Sequence, residues 1–289
     1  MTTSRPMLLT TVAELQAALR EGRGAGKRIG LVPTMGALHE GHLSLVRQCR
    51  AQCDFTVVSI YVNPSQFGPG EDFARYPRTL ASDLAALAGV GAEAVFVPDN
   101  DAMYPAGFAT WVEVGSVAEP LEGCCRPGHF RGVATIVLKL FHLVGPDVAY
   151  FGHKDYQQAL VIRRMVRDLN VPVEVRVGPT VRESDGLAMS SRNAYLSLAA
   201  RQRAVVLWKS LVLARELVAA GERDAAEIAQ RMREVIRSAE DARIDYVALV
   251  DPETLQAVAV VDRPVLAALA VHIENTRLID NCLLEPPSQ

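Results

Sequence analysis

Lysine is nearly absent from this chain: four stand against 26 arginines in 289 residues. Where the background prefers arginine, a lysine is a compact point charge on a flexible stem rather than a planar fork. Among Lys27, Lys139, Lys154 and Lys209, that contrast draws attention to Lys154. Cysteine is scarce and ill-spaced. Cys49, Cys53, Cys124, Cys125 and Cys282 are odd in number and form no Cys-x-x-Cys pair, which excludes a disulfide framework and a zinc ribbon. Cys49 and Cys53 lie four apart on a predicted helix, a spacing that reads as buried thiols. The chain has no apolar run of about 18 residues and no signal-peptide pattern after Met1–Pro6. The expectation is therefore no membrane span and a reducing cytoplasm. Neither charge sign dominates, since the net charge is −3, and this disfavours nucleic acid as the main partner. There is no internal repeat and no low-complexity segment. What remains is an ordinary globular composition, 49% hydrophobic and 22% charged, long enough for one large or two unequal domains.

Through the first two thirds, strand-like runs alternate with helical ones. Ile29–Val32, Phe55–Val62, Ala94–Val97, Val148–Phe151 and Val173–Val177 read as strands. Leu43 onward, Thr79–Gly89, Val133–Val144 and Tyr156–Leu169 read as helices. This alternation predicts a parallel sheet covered on both faces. After Arg192 the pattern changes. Ser197 is placed to cap a long helix reaching about Ala220 and ended by Gly221, and Asp224 to cap another through Arg237. Ile244–Val250, Pro264–Ile273 and Thr276–Leu283 follow as antiparallel strands, with a tight turn at Asn275–Thr276. The expected fold is α/β: a Rossmann-like parallel-sheet domain over residues 1–183 and a smaller C-terminal α+β domain over 184–289.

Chemistry concentrates in the loops after the strands. The run Pro33-Thr34-Met35-Gly36-Ala37-Leu38-His39-Glu40-Gly41-His42 joins a strand to a helix, the usual seat of a phosphate in an open α/β sheet. Gly36 and Gly41 let backbone approach a nucleotide closely. His39 and His42 face one patch across the first helical turn. An imidazole has a reference pKa of about 6.5, and a nearby phosphate raises it. Two such donors stabilise negative charge as pyrophosphate leaves. Two histidines at short spacing also suit a metal, although no third ligand is near.

Gly152-His153-Lys154-Asp155-Tyr156-Gln157-Gln158 again follows a strand and opens a helix. Lys154 is placed to reach a phosphate, whereas Asp155 and Gln158 have the spacing of a capping box. Gln66, in Asn63-Pro64-Ser65-Gln66-Phe67-Gly68, offers a donor and an acceptor that suit a substrate with hydroxyl and carboxylate groups. Met189-Ser190-Ser191-Arg192 combines hydroxyls with a guanidinium, a donor set for phosphate, in a stretch that reads equally as a solvated linker. Arg126 to Gly132 fits an anion site or surface salt bridging equally well.

The His-x-Gly-His run is the signature of the nucleotidyltransferase superfamily, and Met-Ser-Ser-Arg is similar to the Lys-Met-Ser-Lys-Ser loop of class I aminoacyl-tRNA synthetases. Six segments in order, Val32–His42, Val62–Phe67, Tyr76–Thr79, Arg126–Phe130, Phe151–Gln158 and Ser190–Asn193, together resemble the pantoate–β-alanine ligases (pantothenate synthetases) over nearly the whole chain. One departure is His153, where that family usually has Glu or Gln. The resemblance implies ATP-dependent condensation of (R)-pantoate with β-alanine through a pantoyl-adenylate, with Mg²⁺, in a homodimer whose smaller domain is a lid. It implies ATP contacts from Met35, Gly36, Ala37, Leu38, His39, Glu40, Gly41 and His42, from Gly152, His153, Lys154 and Asp155, and from Val181, Met189, Ser190, Ser191 and Arg192. It makes His42, His39, Lys154 and Arg192 the catalytic set, assigns pantoate to Gln66 and Gln158 and β-alanine to Gln66, and places Asp83 near Mg²⁺. The competing reading is an adenylyltransferase that releases a nucleotidylated small metabolite.

Overall fold

The computed structural model describes residues 5–287, so most of the Met1–Pro6 stretch weighed for a leader lies outside the described residues. The chain divides into two compact units. The first comprises the described residues up to Ala118, Arg126–His153 and Gln157–Pro179; the second comprises Glu119–Cys125, Lys154–Tyr156 and the chain from Thr180. The continuous stretch of the second unit begins at Thr180. Two short segments embedded in the first two thirds group with the later unit.

In chain order the elements up to Gly178 are β1 (Met7–Leu9), α1 (Val12–Gly24), β2 (Ile29–Thr34), α2 (Glu40–Arg50), β3 (Phe55–Ile60), α3 (Leu80–Val90), β4 (Ala94–Phe96), α4 (Asn100–Met103), α5 (Glu122–Cys125), α6 (His129–Val144), β5 (Val148–Gly152), α7 (Tyr156–Asp168) and β6 (Glu174–Gly178). The six strands form one sheet in the order β1-β4-β3-β2-β5-β6, and every pairing is parallel. The inner strands β2 to β5 are mostly apolar and buried because both faces are covered. Leu31, Val57, Phe96 and Ala149 point to one core, and Val32, Val58, Val95 and Tyr150 to the other, as the two-residue period of a strand requires. From β2 the chain builds outward through β3 and β4, then returns to lay β5 on the other side of β2. The carboxyl ends of β2 and β5 therefore flank the point where strand order reverses, the crevice in which open α/β sheets bind ligands.

β1 and α1 went unread in the sequence. Their signal was a Thr-x-x-Glu box: the Thr11 hydroxyl accepts from Glu14 N–H at 3.2 Å, and Glu14 reaches back to the Thr11 N–H at 3.0 Å. α6 begins four residues before its predicted start.

The second unit contains α8 (Leu198–Arg203), α9 (Val206–Ala219), α10 (Ala225–Arg237), β7 (Arg243–Val250), β8 (Val265–Ile273) and β9 (Thr276–Leu284). The strands are antiparallel in the order β7-β8-β9. Leu207, Leu211, Ile228 and Met232 pack with Val247, Leu269 and Val271 in its core. Ser197 and Asp224 cap their helices as expected, accepting from Ala200 N–H and from Ala226 N–H. The single helix expected to about Ala220 is interrupted after Arg203, where Leu207 N–H bonds to Ala204 three residues back.

Candidate functional site

The first loop is built by backbone geometry. After β2, Gly36 and Ala37 both take positive φ, +81° and +49°. A Cβ at Gly36 would lie 3.0 Å from Ile60 and 3.2 Å from Asp83 Oδ2, so only glycine fits comfortably. The turn points the next two N–H groups inward. Ala37 N–H donates to Asp83 Oδ2 at 3.0 Å and Leu38 N–H to Oδ1 at 2.9 Å, with the Thr79 hydroxyl adding a third donor at 3.2 Å. Asp83 is 3% exposed. Its carboxylate braces the loop.

His39 is the N-cap of α2. Its Nδ1 accepts from Gly41 N–H at 3.2 Å, while His42 Nδ1 accepts from His39 N–H at 3.4 Å, a reciprocal cap made of two imidazoles. The ring centroids are 4.1 Å apart and tilted by 40°. A ring that accepts through Nδ1 carries its donor proton on Nε2, an assignment that follows from this network. Both histidines are thus held as Nε2–H donors by the helix end itself. Glu40 pairs along the helix with Arg47.

Gln66 meets this loop. Its Nε2 lies 3.3 Å from Met35 Sδ, and its Oε1 accepts from Asn63 Nδ2 at 2.9 Å. Both ends of the amide are thus engaged, Oε1 by Asn63 and Nε2 by Met35. Asn63, 1% exposed, also receives Tyr104 OH and Ser65 Oγ at 2.9 Å and donates to the Gly132 carbonyl. The Gln66 carbonyl takes His129 Nδ1–H at 2.8 Å and Arg126 Nη2–H at 3.3 Å. Arg126 forks onto Glu71 at 2.7 and 2.6 Å. Burial raises the Glu71 carboxyl, but the Arg126 guanidinium outweighs it and holds the group below its ordinary value. Arg126 and His129 therefore brace the glutamine loop, the salt-bridged alternative of the two that the sequence left open. Gly132 lets α6 approach closely, since a Cβ there would lie 2.7 Å from Gln66 N. Gln157 is buried and donates to the Val117 carbonyl at 3.0 Å, whereas Gln158 is half-buried on the same helix. Gly152 ends β5, paired with Gly178, and His153–Asp155 form a single turn.

Within the second unit, the stretch that read equally as a phosphate donor set or a solvated linker is preceded by a short hairpin. Met189 N–H bonds to the Val181 carbonyl at 3.0 Å, Glu183 N–H to Leu187 at 2.8 Å, and Arg182 bridges Ala188. Gly186 at its tip has φ +95° and sits against Trp208. Arg201 forks onto Glu183 and Asp185 at 2.6 and 2.8 Å, which holds the Asp185 carboxyl below its ordinary range. Ser190 then caps a single turn, accepting from Arg192 N–H at 3.2 Å. Lys154 is mostly covered, its Nζ 3.9 Å from Asp155.

Cys49, Cys53 and Cys282 are buried, whereas Cys124 and Cys125 are exposed. Burial pushes Cys49 and Cys282 up to about 12, and the described cysteines are all free. Among the described residues, no group of three His, Cys, Asp or Glu could hold a metal, and no helix is long and apolar enough to cross a membrane. Sequence reading missed Asn63 as more than a turn residue, along with Glu71, Tyr104, Gly132, Arg182, Asp280 and Asn281. Only Asn63-Pro64 carried any local signal.

The pantoate-beta-alanine ligase family model matches residues 7–283. A pantothenate synthetase of Moorella thermoacetica is 56% identical, the alignment covering 96% of this chain and 98% of that protein. The crystal structure of pantothenate synthetase from Thermus thermophilus superposes with a TM-score of 0.93 at 49% identity, covering 97% of this chain and all of that one. That of pantoate-beta-alanine ligase from Francisella tularensis, complexed with beta-gamma ATP and beta-alanine, gives 0.79 at 32% identity over 96% and 97%. Likeness of this extent, with the histidine cap, the glutamine loop and the serine–arginine turn all inside the matched span, means that the chain belongs to the pantoate-beta-alanine ligase family.

Proposed function

We infer that this protein is an ATP-dependent ligase that condenses pantoate with β-alanine to give pantothenate, AMP and pyrophosphate. The observation that carries the reading is the unbroken family match from residue 7 to residue 283. The Francisella relative, solved with ATP and β-alanine, supports two of the three substrates.

A carboxylate is a poor electrophile because oxide is a bad leaving group. In the first step a pantoate carboxylate oxygen attacks the α-phosphorus of ATP, the bond to the β-phosphate oxygen breaks, and pyrophosphate leaves. In the second step the β-alanine amine attacks the acyl carbon, loses a proton, and AMP departs. The first step joins anions, so it needs preorganised donors. We propose that His42 and His39 supply Nε2–H donors to the phosphates. The Met35–His42 loop, Gly152–Asp155, Val181 and Met189–Arg192 are the proposed ATP contacts, and Lys154 and Arg192 supply cationic charge. Gln66 and Gln158 are proposed to hold pantoate, Gln66 also meeting β-alanine. Positioning of this kind contributes much of the acceleration.

The domain roles belong to the same proposal: the parallel-sheet unit for ATP and pantoate, the smaller unit for the remaining ATP contacts. A cytoplasmic setting and a homodimer complete it, on the strength of the family resemblance. Magnesium fits less well as a protein-held ion. Asp83 already receives three donors, and among the described residues no group of three His, Cys, Asp or Glu could hold a metal. Magnesium commonly travels with substrate phosphates.

The test is to incubate enzyme with ATP, pantoate and Mg²⁺ and then add β-alanine. The ligase reading expects ATP–pyrophosphate exchange before the addition and AMP release that depends on it. AMP release indifferent to β-alanine would overturn the ligase reading, and release of an intact adenylylated product with no free AMP would instead make the protein an adenylyltransferase.

A further inference from the structure

Two separate segments of the second unit carry proposed ATP contacts, Lys154 and the turn Met189–Arg192, and consecutive residues of β9 hold both. Asp280 is 2% exposed. Its oxygens receive the Arg182 fork, Nη1 at 2.6 Å and Nη2 at 2.9 Å, and Asn281 N–H at 2.8 Å. Arg182 stands in the hairpin that leads to Met189. It donates to the Gly186 carbonyl at 3.0 Å, and its guanidinium lies 3.9 Å from the centre of the Trp208 ring. One residue further, buried Asn281 donates Nδ2 to the backbone carbonyl of Lys154 at 2.8 Å. Successive side chains of a strand leave opposite faces, so one stretch of backbone reaches both segments. That backbone is itself fixed, because Asp280 and Asn281 pair in register with Leu269 and Ala268 of β8.

We infer that Asp280 and Asn281 are positioning residues for ATP: β9 sets the spacing between the Lys154 ammonium and the donors of Ser190–Arg192. The inference rests on the reading of those groups as ATP contacts. Neither residue touches the nucleotide in this scheme. Each acts by holding a segment where a shift of about 1 Å is enough to cost up to about a hundredfold in rate.

Pantoate-dependent ATP–pyrophosphate exchange on the full-length enzyme tests it. Asn281→Ala is expected to raise KM for ATP and slow exchange about tenfold, with KM for β-alanine changed by less than about twofold. In a Lys154→Ala background the same substitution is expected to add nothing, because its effect runs through Lys154. Asp280→Asn, combined with Arg192→Ala, is expected to be non-additive in the same way. Normal ATP kinetics in Asn281→Ala, or an effect that multiplies undiminished on Lys154→Ala, overturns the inference. Should Asn281→Ala fail to fold, Asn281→Asp keeps the volume, turns an acceptor toward the Lys154 carbonyl and carries the same expectations. Lys154→Ala alone separates the two claims. If it exchanges normally, the ATP reading of Lys154 fails and takes the inference with it. If it is crippled while the Asn281 variants are normal, only the positioning inference fails.

Discussion

The histidine loop of the first unit and the serine–arginine hairpin of the second both carry proposed phosphate donors, yet they are held by different physics. The first is fixed by two backbone N–H groups on a buried carboxylate, a positive-φ glycine and a helix cap. The second is fixed by guanidinium forks, Arg182 onto Asp280 and Arg201 onto Glu183 and Asp185, with a glycine seated on Trp208. A backbone brace orients the peptide groups directly and has few rotatable bonds to adjust. A fork fixes the root and tip of a hairpin and leaves the side chains beyond it to their own rotamers. The first loop should therefore tolerate no change, and the second should lose function in graded steps.

His42→Ala should give the largest effect. Loss of a phosphate donor is expected to slow ATP–pyrophosphate exchange by about two to four orders of magnitude, and near-normal exchange would remove the role assigned to that ring. Asp83→Ala comes next. It removes the carboxylate that accepts from Ala37 N–H and Leu38 N–H in the partly buried loop, at about 1–3 kcal/mol for each bond lost. Exchange is expected to fall about a hundredfold as the loop shifts. A denaturant midpoint and an exchange rate both close to normal would show that the loop holds itself without the carboxylate.

The contrast also explains what could be read from sequence. The His-x-Gly-His run was legible because its parts are local: strand, glycine and cap lie within ten residues, and each has a propensity of its own. The inner strands β2, β3, β4 and β5 were legible because burial on both faces makes them mostly apolar, whereas β1, exposed over its first two residues, went unread. The braces were not legible. Asp83 reads as an ordinary helix residue until the chain folds 45 and 46 positions back onto Leu38 and Ala37. Asp280 meets Arg182 across 98 positions, and nothing in either neighbourhood announces the pair. Gly132 stood at the end of the Arg126–Gly132 stretch with nothing to single it out, although its missing Cβ is what admits the Ser65–Gln66 backbone. Chemistry-bearing side chains were visible; the groups that aim them were not.

Gly186→Ala sharpens the comparison from the second side. The residue has φ +95°, and a Cβ would lie 2.6 Å from Trp208 Cγ. Strain and overpacking together are expected to cost about 2 kcal/mol. Because the forks still hold the root of the hairpin, exchange should drop only about tenfold, less than for Asp83→Ala. A larger fall in exchange than Asp83→Ala produces would reverse the proposed ranking of the two loops.

Arg201→Ala should have the smallest effect, and acid separates it from the others. Hydrogen bonding to Arg201 is the main reason the Asp185 carboxyl titrates below its ordinary 3.8. A carboxyl depressed on folding stabilises the native state above its unfolded value, and that stability is lost as pH falls through the lower folded value. The contribution is therefore present at neutral pH and disappears below about pH 4. Asp185 and Glu183 are partly solvent-exposed, so the fork is worth no more than about 1 kcal/mol near neutrality and less at high salt. Unfolding midpoints measured against pH should show wild type and Arg201→Ala differing slightly at pH 7 and converging in acid. Curves that stay parallel down to pH 3 would mean that Arg201 acts through the packing of its stem rather than its charge, and the second loop would then resemble the first more than its ion pairs imply.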